Sequence, residues 1–133
     1  MFKLKIMTPE GTYFNEEVSS LTLKLISGYV TILSKHQPMV GALDFAPMHL
    51  IKNNKTYYYA LHGGVLNVKE NEVVVLTNAV ELAEDIDLDR ALDQLRRAKQ
   101  RLETADDTVE INRAKSAIMR SLSRINTVDL IKK

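Results

Sequence analysis

Hydrophobic and polar positions alternate along the first part of the chain and then change period. "FKLKIM" (2–7) puts Phe2, Leu4 and Ile6 on one side of a strand and Lys3 and Lys5 on the other. "SLTLKLI" (20–26) repeats the pattern, with Leu21, Leu23 and Leu25 opposite Thr22 and Lys24. "SGYVTIL" (27–33) follows as a further strand from Gly28. "MHLIKNNKTYYYALH" (48–62) reads as a hairpin about Asn53–Asn54, and "GGVLNVKENEVVVLT" (63–77) as another turning at Lys69–Asn71. Many short strands, with turn signals about every eight to twelve residues, predict a sandwich or flattened barrel.

Over residues 87–126 the period becomes helical. Leu88, Leu92, Leu95 and Leu102 recur at spacings of four, three and seven, with Asp87 placed to cap the first turn. "ETADDT" (103–108) is a short polar connection, and Asp107 or Thr108 can cap the next helix. Ile111, Ile118, Leu122 and Ile125 form that helix's apolar stripe. So short a connection makes the pair antiparallel. The predicted organisation is a strand-rich unit over 1–84 and a helical hairpin over 85–133.

Projection at about 100° per residue gives each helix three stripes. In the first they are the leucines, then Ala91, Ala98 and Ala105, then Arg90, Arg97 and Arg101. In the second they are Ile111, Ile118, Leu122 and Ile125, then Ala114, Ala117 and Ser121, then Arg113, Arg120 and Arg124, in the same rotational sense. Antiparallel packing through the small stripes therefore gathers the apolar stripes on one side of the hairpin and the arginines on the other. The apolar side is expected to lie on the sandwich. The basic side is either a solvated face or an anion site, for which arginine's planar fork is better suited than lysine.

Composition narrows the function. The chain has 133 residues, 45% of them hydrophobic, room for one domain and a small appendage. It has no cysteine, so no disulfide framework or thiolate site. Its net charge of +1 argues against generic nucleic-acid binding. Residues 1–84 carry seven Lys/Arg against eight Asp/Glu, and residues 85–133 eleven against nine. No signal peptide is expected from "MFKLKIMTPEG", and the longest apolar run, "VVVL" (73–76), is too short to span a bilayer. His36, His49 and His62 are scattered without acidic partners at ligand spacing, so no metal site is expected. "HGG" (62–64) lacks the Lys-Ser/Thr of a phosphate loop and reads as a bulge or strand start. No nucleophile–base pair or purposeful carboxylate pair is present, so catalysis within this chain is not expected.

Several stretches together resemble the epsilon subunit of bacterial F-type ATP synthases. "MTPEGTYFNEEV" is similar to that family's first strand and turn, "SGYVTILSKHQPMVGAL" to its central loop, and "LHGGVLNV" to its Gly-Gly strand. "AEDIDLDRA" (83–91) carries its I/L-D-x-x-R-A motif as Ile86, Asp87, Arg90 and Ala91. The resemblance spans the whole chain. It implies a ten-stranded β-sandwich followed by an antiparallel two-helix hairpin, in a non-catalytic subunit.

The partners it implies are the gamma subunit of the central stalk, the membrane rotor ring of c subunits and, through extended C-terminal helices, the catalytic alpha/beta head. The place it implies is the cytoplasmic face of the bacterial cell membrane, peripheral through the complex. No cofactor is required. ATP is implied as a regulatory ligand of the folded tail, at positions matching Glu81, Ile86, Asp87, Arg90, Ala91, Arg97, Arg120 and Arg124. The ring-contact loop would include Gly28, Tyr29, Ile32 and His36, and departs from the family pattern at Tyr29, Thr31 and Ser34–Lys35. Two alternatives stay open: the same subunit without useful nucleotide affinity, its arginines meeting acidic surfaces of the catalytic subunits, and, more remotely, a nucleic-acid-binding module built on the basic hairpin.

Overall fold

The computed structural model describes residues 1–132. Its strands are β1 (Phe2–Thr8), β2 (Gly11–Val18), β3 (Ser20–Leu25), β4 (Gly28–Ile32), β5 (Met39–Lys52), β6 (Lys55–Lys69), β7 (Glu72–Leu76) and β8 (Val80–Leu82). A 3₁₀ turn (Ala83–Asp85) leads to α1 (Leu88–Thr104) and α2 (Thr108–Ile131). The hydrogen-bonded order is β2-β1-β7-β6-β5-β3-β4, with β8 also paired to β6. The β1–β7 pair is parallel.

The sheet curls on itself. Lys52 on β5 donates to Glu16 on β2 at 2.9 Å, and Tyr13 on β2 stands edge-on to Tyr59 on β6, 6.2 Å between centroids. These contacts bring the β2 end of the order back over its middle. The alternation read from sequence supplies the interior: Leu4, Ile6, Leu21, Leu23, Leu50, Leu66 and Val75 are fully buried in one cluster. Burying such a side chain contributes roughly 1.5–3 kcal/mol.

Among the described residues the strands number eight rather than the expected ten. β5 and β6 are 14 and 15 residues long and pair in one register from Met39↔Val68 to Lys52↔Lys55. Each therefore runs unbroken where separate arms were expected. β3 marks the bend, because its pairing with β5 shifts register between Thr22 and Leu25. The hairpin turn falls at Asn53 and Asn54, both in the left-handed region with φ 52° and 63°, as a two-residue primed turn needs. Gly64 kinks β6. Its φ is +125°, and a Cβ there would collide with the Leu76 carbonyl oxygen, so no side chain fits.

Both helices begin as their caps predict. The Asp87 carboxylate accepts from the Arg90 N–H at 3.1 Å, and the Asp107 carboxylate from the Glu110 N–H at 2.8 Å. α2 runs on to Ile131, past the expected end at 126, because "NTVDLI" holds no glycine or proline to stop it. The seam is as the stripes foretold. Ala91, Ala98, Ala114 and Ser121 are buried, and α1 packs almost wholly against α2.

The dock on the sandwich differs from expectation. Among the described residues α2 rather than α1 packs on the sheet, against β5 and β6, and the buried residues of its second half are Ser121, Ser123, Thr127 and Val128 rather than the apolar stripe. Buried Ser123 donates to the Leu61 carbonyl at 3.2 Å, and Thr127 is also buried. Ser123 lies about 100° round the helix from Leu122. The apolar stripe consequently stays part-exposed, with Leu122 at 40% and Leu92 of α1 at 46%. A small-residue face lets α2 approach the strands closely, which bulky Leu122 would prevent.

Candidate functional site at the root of the hairpin

A cleft of about 240 Å³ opens where the 3₁₀ turn, the start of α1 and the second half of α2 converge. Glu81, Asp85, Ile86, Asp87, Arg90, Gln94 and Arg124 line it. Its position follows from sequence. "EDID" cannot continue β8, so the chain turns, caps α1 with Asp87 and presents Arg90 and Gln94 one turn apart on one face. The antiparallel return brings Arg124 opposite them. Arg124 Nε donates to Glu81 Oε1 at 2.6 Å, and its Nη1 to the Gln94 side-chain Oε1 at 3.2 Å. One guanidinium thus ties β8, α1 and α2 together.

The lining is mixed in charge: three carboxylates (Glu81, Asp85, Asp87) against two guanidiniums (Arg90, Arg124). Tyr13 lies close by, its phenol held above its usual range by burial and then by the Asp85 and Glu81 carboxylates. A second concavity of about 590 Å³ runs along the hairpin, its charged lining all basic (Arg101, Arg113 and Arg120), with Val109, Asn112, Ser116 and Ala117 between. Arg120 and Arg124 are one helical turn apart, about 6 Å. The arrangement can hold a ligand with hydroxyl or amide groups at one end and an anionic tail at the other. Among the described residues no group of side chains could hold a metal ion.

Five of the eight expected ligand residues line the cleft: Glu81, Ile86, Asp87, Arg90 and Arg124. Three do not. Ala91 is buried in the helix seam, so its side chain cannot face a ligand there. Arg97 is exposed and paired with Asp93 at 2.9 Å, one turn back on α1. Arg96 binds the same carboxylate at 2.6 Å, and both guanidiniums help hold it below the usual carboxylate range. Arg120 belongs to the basic concavity. Asp85 and Gln94 were not anticipated. Gln94 was legible, because it stands four residues from Arg90 on the same helix face.

Residues 1–83 match the family described as ATP synthase, Delta/Epsilon chain, beta-sandwich domain, and residues 84–129 match its long alpha-helix domain. The chain belongs to the ATP synthase delta/epsilon chain family. It is thus related to non-catalytic subunits of that complex. An ATP synthase epsilon chain of Bacillus mycoides is 35% identical over 129 residues, covering 97% of each chain. One of Caldicellulosiruptor bescii is 34% identical over 128 residues, 96% of this chain and 93% of that one.

Among solved structures, a chain of the Euglena gracilis mitochondrial ATP synthase OSCP/F1/c-ring assembly has a TM-score of 0.80 at 20% identity, covering 90% of this chain and 76% of that one. A chain of the Tetrahymena thermophila central stalk/c-ring has 0.60 at 18%, covering 98% and 96%. At such identities the likeness concerns the fold alone.

In this epsilon-family fold the four loop residues expected to contact the ring separate. Ile32 is fully buried in the core and offers no surface. Gly28 starts β4 with φ 136°, and His36 is half-buried with its Nδ1 2.8 Å from the Gln37 carbonyl oxygen. Tyr29 is exposed, as are Ile26, Leu33 and Val40, which sequence reasoning passed over. Their signal is an apolar residue next to a turn, out of step with the strand alternation. Among the described residues no helix is long and apolar enough to cross a membrane.

Proposed function

We propose that this chain is the regulatory epsilon subunit of a proton-translocating, bacterial F-type ATP synthase. The sandwich joins the gamma subunit at the foot of the central stalk and touches the c ring through the exposed apolar end at Ile26, Tyr29 and Val40. The hairpin restrains ATP hydrolysis when it swings out toward the catalytic head. ATP in the cleft at its root favours the folded form. On this reading the subunit is peripheral, held at the cytoplasmic face of the membrane by its partners. The relatives' names and full-length coverage support the assignment to the complex, as do the c-ring assemblies that contain the similar folds.

The observation that carries the nucleotide reading is that Arg124, in the mixed-charge cleft, and Arg120, in the basic concavity, stand one turn apart on α2. Asp85, Asp87 and Gln94 suit ribose hydroxyls and base edges, while Arg90, Arg124 and then Arg120 lead the phosphates along the hairpin. Arg124 must exchange Glu81 for phosphate, so binding is coupled to the β8–α2 tie. The test is a complex reconstituted with the chain cut after Glu84. Hydrolysis should rise while the complex still assembles, and unchanged hydrolysis would count against a restraining hairpin. A second reading is favoured by the basic concavity itself, which no carboxylate lines. Its arginines would meet acidic surfaces of the catalytic subunits when the hairpin is extended.

A further inference from the structure

His62 takes no part in the cleft as described, yet it lies directly behind it. Leu61 points into the sandwich core, so by strand alternation the His62 side chain points to the opposite face, where α2 docks. It is fully buried there, and neither ring nitrogen has a hydrogen-bond partner among the described residues. Nε2 lies 3.5 Å from Glu81 Oε1, the same oxygen that Arg124 binds at 2.6 Å. The charged groups facing the ring are therefore Glu81 from β8, with Arg124 and Arg120 from α2. From β5 comes uncharged Phe45, its centroid 6.1 Å from the imidazole's. Immediately beside the ring, Ser123 of α2 is bonded to the Leu61 carbonyl.

We propose that His62 is a proton-sensing positioning residue, and that its protonation expels α2 from β6 and releases the hairpin. An imidazolium in this place would be buried, faced by two guanidiniums, and would compete with Arg124 for one carboxylate oxygen. Burial first, then Arg124, push the ring down to about 4 in the docked form, with Glu81 only partly opposing. Undocked, the ring meets water and returns to about 6.5. Between those values the undocked form binds the proton more readily. Docking is therefore complete above about pH 6.5 and weakens as pH falls toward 4. At about pH 5.5 the docking constant should be about tenfold below its value at about pH 8.

The inference relies on the proposed function only for the detached hairpin as an alternative state, and not on ATP. It is tested without nucleotide in the full chain. The sequence has no native cysteine, so Lys69→Cys and Lys115→Cys place one dye on the sandwich and one on α2. Energy transfer across a mild urea gradient then gives the docking constant at each pH. The parent should lose about tenfold between about pH 8 and 5.5, while His62→Gln and His62→Leu lose less than about twofold. An equal loss in the variants, or none in the parent, overturns the proposal. Should neither variant dock, the parent's own imidazole titration by NMR decides. A midpoint near 4 supports it, and one near 6.5 overturns it. ATP binding measured at about pH 8, where His62 is neutral in both forms, tests the nucleotide reading separately.

Discussion

The sandwich and the hairpin bury their residues by opposite means. In the sandwich, long aliphatic side chains such as Leu4, Ile6, Leu23 and Leu66 are fully enclosed, and the polar alternates face out. In the hairpin the enclosed residues are alanines, serines, a threonine and a single aliphatic residue, Val128, while Leu92, Met119 and Leu122 keep 40% or more of their surface in water. The first arrangement gains its stability from apolar area. The second gains close approach, and holds α2 to β6 by one hydroxyl-to-carbonyl bond and to β8 by an arginine tie. On the proposed reading, a helix pair attached in this way leaves while the aliphatic cluster of the sandwich stays enclosed, and offers its outward apolar stripe to another surface.

The largest expected effect sits in the sandwich. Leu66→Ala should cost about 2–5 kcal/mol in denaturant unfolding. Ala98→Leu comes next, overpacking the seam by about 1–3 kcal/mol. That loss should appear as earlier melting of the hairpin, with the strand signal unchanged. Ser123→Ala removes the bond to the Leu61 carbonyl and should weaken docking by about 0.5–1.5 kcal/mol. Hydrogen exchange at the β6 amides beneath α2 would register it. Smallest is Leu122→Ala, at under about 1 kcal/mol, because much of that side chain is already in water. A Leu122→Ala loss as large as that of Leu66→Ala would erase the distinction between the two regions.

Much of this was legible in the chain. Alternation in "FKLKIM" and "SLTLKLI" named the core faces, Asn53–Asn54 named a hairpin, Asp87 named the first helix start, and Asp107 or Thr108 the second, because each signal is local. The small stripes of the two helices gave their seam for the same reason. Three things were not legible. The continuity of β5 and β6 depends on how far a bent strand keeps its partner, which is a long-range property. The choice of Ser123 and Thr127 over Leu122 as the docking face depends on how closely the strands accept a helix. The split of the arginines between a mixed cleft and a basic concavity, with Arg97 turned to Asp93, depends on tertiary placement of acidic neighbours. A helical projection orders the side chains of one helix, and says nothing of what stands opposite.

The central claim is that the root of the hairpin is a nucleotide site built on Arg90 and Arg124. Calorimetry of the intact chain with ATP tests it most directly, alongside Arg90→Ala, Arg124→Ala and, off the arginine stripes, Lys99→Ala. Loss of one charge-assisted contact should weaken ATP binding by about ten- to a hundredfold. The account predicts saturable binding by the parent, that loss in both arginine variants, and little change for Lys99→Ala. Absence of binding by the parent at about millimolar ATP, or equal losses in all three variants, would contradict it.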